Sequence, residues 1–375
     1  SERFKEIQEQ LSVLSNQFSN NVLQSTNSWK KTVSAIDLKG YGEAELSKVR
    51  KGDGYEINLQ VPVYIDLMTY ADSSDLREEV YKAYISRASD IGITSKEFNN
   101  RPIMDEILKL RSELAQLVGY SNYAEYSTQS KMVSSPNAVV DFLNSLIDLS
   151  SAQAKSELSD LESFAGHSLM PWDLMHYSEK LKQKTFNFKS SDLKPYFPEE
   201  KVFSGLFTTI NNLYGVKLTE INETSYHPDV RVIELEGAKG FIGKIYLDVY
   251  ARENKRGGAW MSDYQGLYKD ALPVAFVVCN LNSPSDGKPA LFDFNEIVTI
   301  FHEFGHAIHH LLTKVPFPCA AGISGVPWDG VELPSQYMEN FCYERSVVDL
   351  ISGHWETGDK LPQDLFKKLI DSKNF

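Results

Sequence analysis

Cysteine is scarce in this sequence. Its 375 residues include three, Cys279, Cys319 and Cys342. That is an odd number at no metal-type spacing, so the cysteines outline neither a disulfide framework nor a cysteine-rich zinc module. Cys279 sits in an apolar, strand-like run and Cys342 in an apolar, helix-like one. Buried free thiols in a reducing, cytoplasmic setting are the expectation. Long apolar runs are also missing. None approaches the roughly 18 residues of a spanning helix, so no membrane partner is expected. Positive charge is in deficit: 38 Lys and Arg face 51 Asp and Glu, a net charge of −13. That balance argues against nucleic acid and against anionic membrane surfaces. The chain has neither an internal repeat nor a low-complexity segment. An apolar content of 42% is enough for a sizeable core, in one large domain or two to three ordinary ones.

The first two thirds read as helices. Phe4, Ile7, Leu11, Leu14, Phe18 and Val22 make one apolar stripe. A turn-rich stretch with Gly40, Gly42, Gly52 and Gly54 follows, then a helix from Asp75 to Ala88. Pro102 and Gly119 bracket the periodic Ile103, Ile107, Leu110, Leu114 and Leu117. Pro136 to about Phe164 is one long helix or two. The texture changes near Tyr226-His227-Pro228. Strands are predicted over 230–236, 241–250 and 273–279; in the second, Phe241, Ile245, Leu247 and Val249 alternate with Lys244, Tyr246 and Asp248. The class is mainly α, with a small β-sheet. The chain opens on Ser1-Glu2-Arg3, already inside a helical pattern, and stops at Asn374-Phe375 after the amphipathic run 365–370. A piece of a longer protein is expected.

The strongest chemical signal is Phe301-His302-Glu303-Phe304-Gly305-His306. Histidines at i and i+4 leave the same face of a helix, about one turn apart, and can share one ion. Glu303 occupies the general-base position of a metallopeptidase. The helical context is present. Asp293 and Glu296 form a plausible capping box. Ile297, Ile300, Phe301, Phe304, Ile308 and Leu311 follow at helical spacing. Gly305 costs roughly 1 kcal/mol inside a helix, so close approach of another segment is expected there.

Two histidines leave a third protein ligand to find. Glu332, 26 residues after His306 and beyond a loop holding Gly322, Gly325 and Pro327, is a good candidate. Asp329, Glu339, Glu344 and His354 compete with it on spacing alone. Two histidines and one carboxylate would leave a fourth position open, the catalytic pattern. Glu339 lies two turns beyond Glu332 and could orient a ligand histidine from behind, or be a surface carboxylate. His309 and His310 are too far along the helix to share an ion with His302 and read as packing or supporting residues.

Three segments together carry a family likeness: 301–306, Gly322 to Asp329, and Val331-Glu332-Leu333-Pro334-Ser335-Gln336-Tyr337-Met338-Glu339-Asn340. They resemble the M3 family of zinc oligopeptidases. The likeness extends through Tyr246 to Trp260 and Pro171-Trp172-Asp173, back to Phe4. It implies a zincin-like fold with an elongated helical channel. Residues 1–225 would be a mainly helical channel-wall region and 226–375 the zinc-binding catalytic region, truncated at its C-terminal end. It also implies one Zn²⁺ per chain held by His302, His306 and Glu332, and hydrolysis of short oligopeptides by metal-activated water with Glu303 as general base. The strand ending near Gly257-Gly258-Ala259 would be the family's edge strand beside the substrate. The family carries a downstream tyrosine- and glycine-rich segment for substrate and oxyanion that has no counterpart here, and an N-terminal helical segment is missing as well. The missing C-terminal part of the same protein is therefore an expected partner. The alternative is an inactive central fragment that binds zinc or peptide without cleaving.

Overall fold

The computed structural model describes residues 2–92, 96–284 and 287–373. The expected end signal at Asn374-Phe375 lies outside them. Two compact units form. The first is Ser1–Leu181 with Glu253–Arg256 and Pro327–Asp329; the second is Lys182–Arg252, Gly257–Val326 and Gly330–Phe375.

The first unit opens with α1 (Glu2–Ser28). The glycine-rich stretch after it holds more than turns. Strands β1 (Lys30–Val33), β2 (Arg50–Lys51) and β3 (Gly54–Asn58), with α2 (Glu43–Val49) between the first two, make an antiparallel sheet in the order β1-β3-β2. Gly52, at φ 58°, supplies the left-handed residue that the two-residue β2–β3 turn needs. Helices α3 (Val61–Tyr70) and α4 (Ser74–Ile85) follow, with the Ser73 hydroxyl capping α4. Val33, Ile57, Leu67, Met68, Leu76 and Val80 form their shared core. Helix α5 (Arg101–Leu117) has Pro102 in its first turn, as predicted, and packs Leu110 and Leu114 on Ile7 of α1. Beyond α6 (Tyr123–Thr128), α7 (Pro136–Ala165) is a single 30-residue helix capped by Ser135. Helix α8 (Leu174–Phe186) comes next. Arg77 of α4 is almost wholly buried, and each of its three guanidinium nitrogens has a partner: it donates to the Ala71 carbonyl (2.6 Å), the Trp172 carbonyl (3.1 Å) and Asp173 Oδ1 (2.6 Å).

The second unit is a five-stranded sheet with helices packed on it. Its first whole α-helix is α9 (Glu199–Tyr214). Then come β4 (Lys217–Ile221), β5 (Arg231–Gly237), β6 (Gly240–Tyr250), β7 (Trp260–Gln265) and β8 (Val274–Leu281), arranged β4-β5-β6-β8-β7. Only the β6–β8 pair is parallel among these. The change of texture near residue 226 is thus a passage within one unit, whose sheet already starts at Lys217. Ile245, Leu247 and Val249 of β6 are buried as their alternation predicts. Phe241 is instead 44% exposed, beyond a register shift opposite Leu235/Glu236. Asp248, expected on the polar face, is buried and held by Nη1 and Nη2 of Arg252 (2.6 and 2.7 Å) and by the Tyr226 hydroxyl (2.9 Å). Helices α10 (Phe294–Leu311), α11 (Leu333–Glu339), α12 (Arg345–Ile351) and α13 (Gln363–Asp371) complete the unit. Cys279 and Cys342 are buried, and Cys319 is exposed.

Candidate metal centre

Helix α10 starts where the sequence signals it. Asp293 Oδ1 accepts from the Glu296 amide (2.9 Å), and Glu296 Oε2 accepts from the Asp293 amide (2.8 Å). Ile297, Ile300, Phe301, Phe304, Ile308 and Leu311 are all buried. They seat the helix against β6, β7 and β8. That burial fixes the helix rotation, and with it the direction of the two histidines one turn apart. Gly305 faces α11 so closely that a Cβ there would lie 2.6 Å from the Pro334 carbonyl oxygen and from Ser335 Cα. The missing side chain lets α11 sit directly against the histidine turn and deliver Glu332, the residue just before α11, to it.

Three donor atoms meet at that point. Glu332 Oε2 lies 3.1 Å from His302 Nε2 and 3.0 Å from His306 Nε2. Tetrahedral bonds of about 2.0 Å place neighbouring ligand atoms roughly 3.3 Å apart, so the spacing suits one small cation. The chemistry agrees. Glu339 Oε1 accepts from His302 Nδ1 at 2.6 Å, which leaves a lone pair on His302 Nε2. That lone pair faces a carboxylate oxygen that can only accept. Such a confrontation is relieved by a shared cation. Among the described residues, His302, His306 and Glu332 are the group able to hold a metal.

The electrostatics follow from burial and neighbours. Burial pushes the Glu303 carboxyl up to about 7, helped by the Glu332 charge and opposed by His302 and the Met261 amide of β7. Its buried Oε2 has no partner. For Glu332, burial raises the pKa, but the Ser335 hydroxyl (2.8 Å) and the two histidines outweigh it and hold the carboxyl below its usual range. Burial lowers His306, favouring the neutral imidazole that a metal requires.

A model of peptidase family M3 matches residues 67–375. The chain belongs to peptidase family M3. Its similarity to oligopeptidase A of Salmonella typhimurium is 45% identity over 393 residues, covering all of this chain and 58% of that protein. Oligopeptidase A of Escherichia coli is 46% identical over the same length, again with 58% covered. Dipeptidyl carboxypeptidase of Escherichia coli is 30% identical over 388 residues, with 57% covered. The chain thus spans about three fifths of the length of these relatives.

Within this M3 chain the rival ligands Asp329, Glu344 and His354 lie outside the group that could hold a metal among the described residues. Asp329 accepts from the Met132 and Val133 amides (2.9 and 3.0 Å). Glu344 starts α12. His354 stacks edge-on against Tyr196. Glu339 supports His302, one of the two roles open to it. His309 is partly exposed, and His310 is fully buried and turned to Gln265 and Ile323. The expected edge strand is displaced: β6 ends at Tyr250, and the edge strand β7 begins at Trp260, after the glycine pair. Positive φ at Gly258 (102°) keeps that segment out of extended pairing. Sequence reasoning missed the supporting roles of Ser335 and Met261. A serine three residues after Glu332, at a helix start, was the available signal for the first.

Proposed function

We propose that this chain carries the metal centre of a zinc-dependent endopeptidase that hydrolyses short oligopeptides in the cytoplasm, with the activity belonging to the whole polypeptide. The observation that carries the reading is the convergence of His302 Nε2 and His306 Nε2 on Glu332 Oε2, at 3.1 and 3.0 Å, beside the buried, half-satisfied carboxyl of Glu303. His302, His306 and Glu332 would hold the metal. When bound, zinc supplies Lewis acidity, lowering the pKa of water and polarising a peptide carbonyl.

The protein's own residues do the rest. Glu303 takes a proton from the attacking water and returns it to the departing amine. Its burial suits both directions of transfer, since a carboxyl held near neutrality gives up a proton about as readily as it takes one. Nearby cationic charge favours the ionised, accepting form at the start. Glu339 keeps His302 in the tautomer that offers Nε2. The exposed edge of β7, next to α10, would take an extended peptide by backbone pairing, which reads length and extension more than side chains. No covalent acyl-enzyme is expected.

Glu303→Gln in the whole polypeptide should retain bound zinc and lose about 10² to 10⁴ in rate. Substantial turnover in a zinc-loaded Gln variant would remove Glu303 from its role. Glu332→Ala should lose the metal, and unchanged zinc content would reject it as a ligand. A second reading rests on the 58% coverage: residues 1–375 alone bind zinc without cleaving. Comparing zinc content and peptidase rate of the two lengths separates the readings.

A further inference from the structure

We propose that His310 is a positioning residue that latches the glycine-rich loop after α10, and the end of β7, to the turn of α10 following His306. Its purpose in the reaction rests on the peptidase reading above; the latch itself rests on geometry.

His310 has zero exposure. Its Nε2 lies 2.9 Å from the Gln265 carbonyl oxygen, the last residue of β7. A carbonyl only accepts, so Nε2 carries the ring proton. Nδ1 is left with a lone pair, and the Ile323 amide donates to it at 3.5 Å. One neutral imidazole thus serves two backbone groups of opposite need.

Gly322 makes the approach possible. A Cβ there would fall 2.5 Å from His310 Nδ1 and 2.9 Å from its Cα, and the residue sits at φ +61°. The loop around it is self-braced. The Ser324 amide donates to the Ala321 carbonyl (3.1 Å) and the Val326 amide to the Ile323 carbonyl (3.3 Å). Gly325, at φ +80°, backs onto the Cys319 carbonyl. This compact turn is therefore held to α10 through His310 as one piece. In one direction the chain leads from it to Glu332. On the other side of the latch, β7 carries the Met261 amide that bonds Glu303. The histidine holds in place two segments flanking the catalytic turn, and its ring hydrogen bonds go to Gln265 and Ile323, not to a metal ligand or the base.

The test uses the whole polypeptide with His310→Leu, His310→Gln and Gly322→Ala, read by amide exchange over residues 320–326, zinc content, KM and kcat. Leucine satisfies neither backbone group; glutamine has a donor and an acceptor and can serve both. The Leu variant should exchange the Ile323 amide about tenfold faster or more, raise KM about tenfold, and leave zinc content and kcat nearly unchanged. The Gln variant should restore both. Gly322→Ala should reproduce the loop release with His310 intact, and it decides the matter if the Leu variant does not fold. A folded Leu variant with wild-type exchange and KM overturns the proposal, as does a Gln variant that fails as Leu does. If the unsubstituted polypeptide shows no peptidase activity, the functional reading falls while the exchange measurements still decide the latch.

Discussion

His302 illustrates how one hydrogen bond sets a residue's chemistry. Its ring has two nitrogens, and the 2.6 Å bond from Nδ1 to Glu339 decides which one faces the site. Removing that acceptor frees the ring to rotate and to present the wrong tautomer. Glu339→Gln keeps the size but offers one acceptor and one donor in place of a charge. It should lower zinc affinity about 10- to 100-fold, with His302, His306 and Glu332 intact. Competition against a chelator of known affinity measures this directly. Unchanged affinity would mean that Glu339 is only a neighbour. Glu303 obeys a different logic: its raised pKa comes first from burial, so polar substitutions nearby change it less than opening the site to water would.

At the scale of elements, the contact between α10 and α11 governs the site. Gly305→Ala adds one methyl group where the Pro334 carbonyl oxygen and Ser335 Cα leave 2.6 Å. Either α11 shifts or α10 does. The expected cost is about 1–3 kcal/mol of stability, together with weaker zinc binding, although no ligand has been altered. Thermal unfolding of the metal-free and zinc-loaded forms separates the two effects. Full zinc affinity in this variant would mean that Glu332 finds the histidines without help from the helix packing. Much of this element was legible beforehand. The capping box, the buried face and the glycine all lie within one short stretch, and local rules govern them. The candidate ligand Glu332 was not legible from spacing alone, because only the fold shows that Asp329 is drawn to the amides of Met132 and Val133 while Glu332 faces the histidines. The edge strand β7 was misplaced for the same reason. Trp260 to Gln265 has little alternation, since four of its six residues are exposed, and pairing with β8 defines it. The small sheet of β1, β2 and β3 escaped because its strands are two to five residues long.

The α4–α8 contact of the first unit makes a second, independent prediction. His176 is buried beside Arg77 and Lys180, and its pKa falls to about 4, mainly through burial and then through those cations; the Thr69 carbonyl and Asp72 oppose the shift. Between pH 6.5 and 4 the unfolded chain binds a proton that the folded chain refuses. Stability therefore rises with pH through that window and is level above it. Going from neutral pH to pH 4 should cost up to about 3 kcal/mol from this residue. Asp72 and Asp173, both lowered, add losses only as the pH approaches and passes below the ordinary carboxylate range. Denaturation midpoints at pH 7 and pH 5 give the comparison. His176→Gln, which has no proton to gain, should flatten the dependence, and an equally steep profile in that variant would assign it elsewhere.

On the scale of the whole molecule, charge and apolar surface pull in opposite directions. A net charge of −13 keeps copies apart through long-range repulsion that salt screens. Helix α7 opposes it. Residues 139–150 are all exposed, yet Val139, Val140, Phe142, Leu143, Leu146, Ile147 and Leu149 stand 37% to 81% exposed on one side of the helix. An exposed apolar face of that length marks a contact surface or an association liability. Residues 1–375 produced alone should therefore self-associate, more strongly as salt screens the charge. The double variant Phe142→Ser/Leu146→Ser should shift the chain towards monomer by about tenfold or more in dissociation constant, at roughly 1–2 kcal/mol per large side chain no longer buried. Zinc content should stay constant, because the proposed metal ligands His302, His306 and Glu332 belong to the other unit. Sedimentation velocity at low and high salt reads both trends. A chain that stays monomeric at every concentration and salt would show that repulsion outweighs the apolar face of α7, and would turn attention to how that face is solvated.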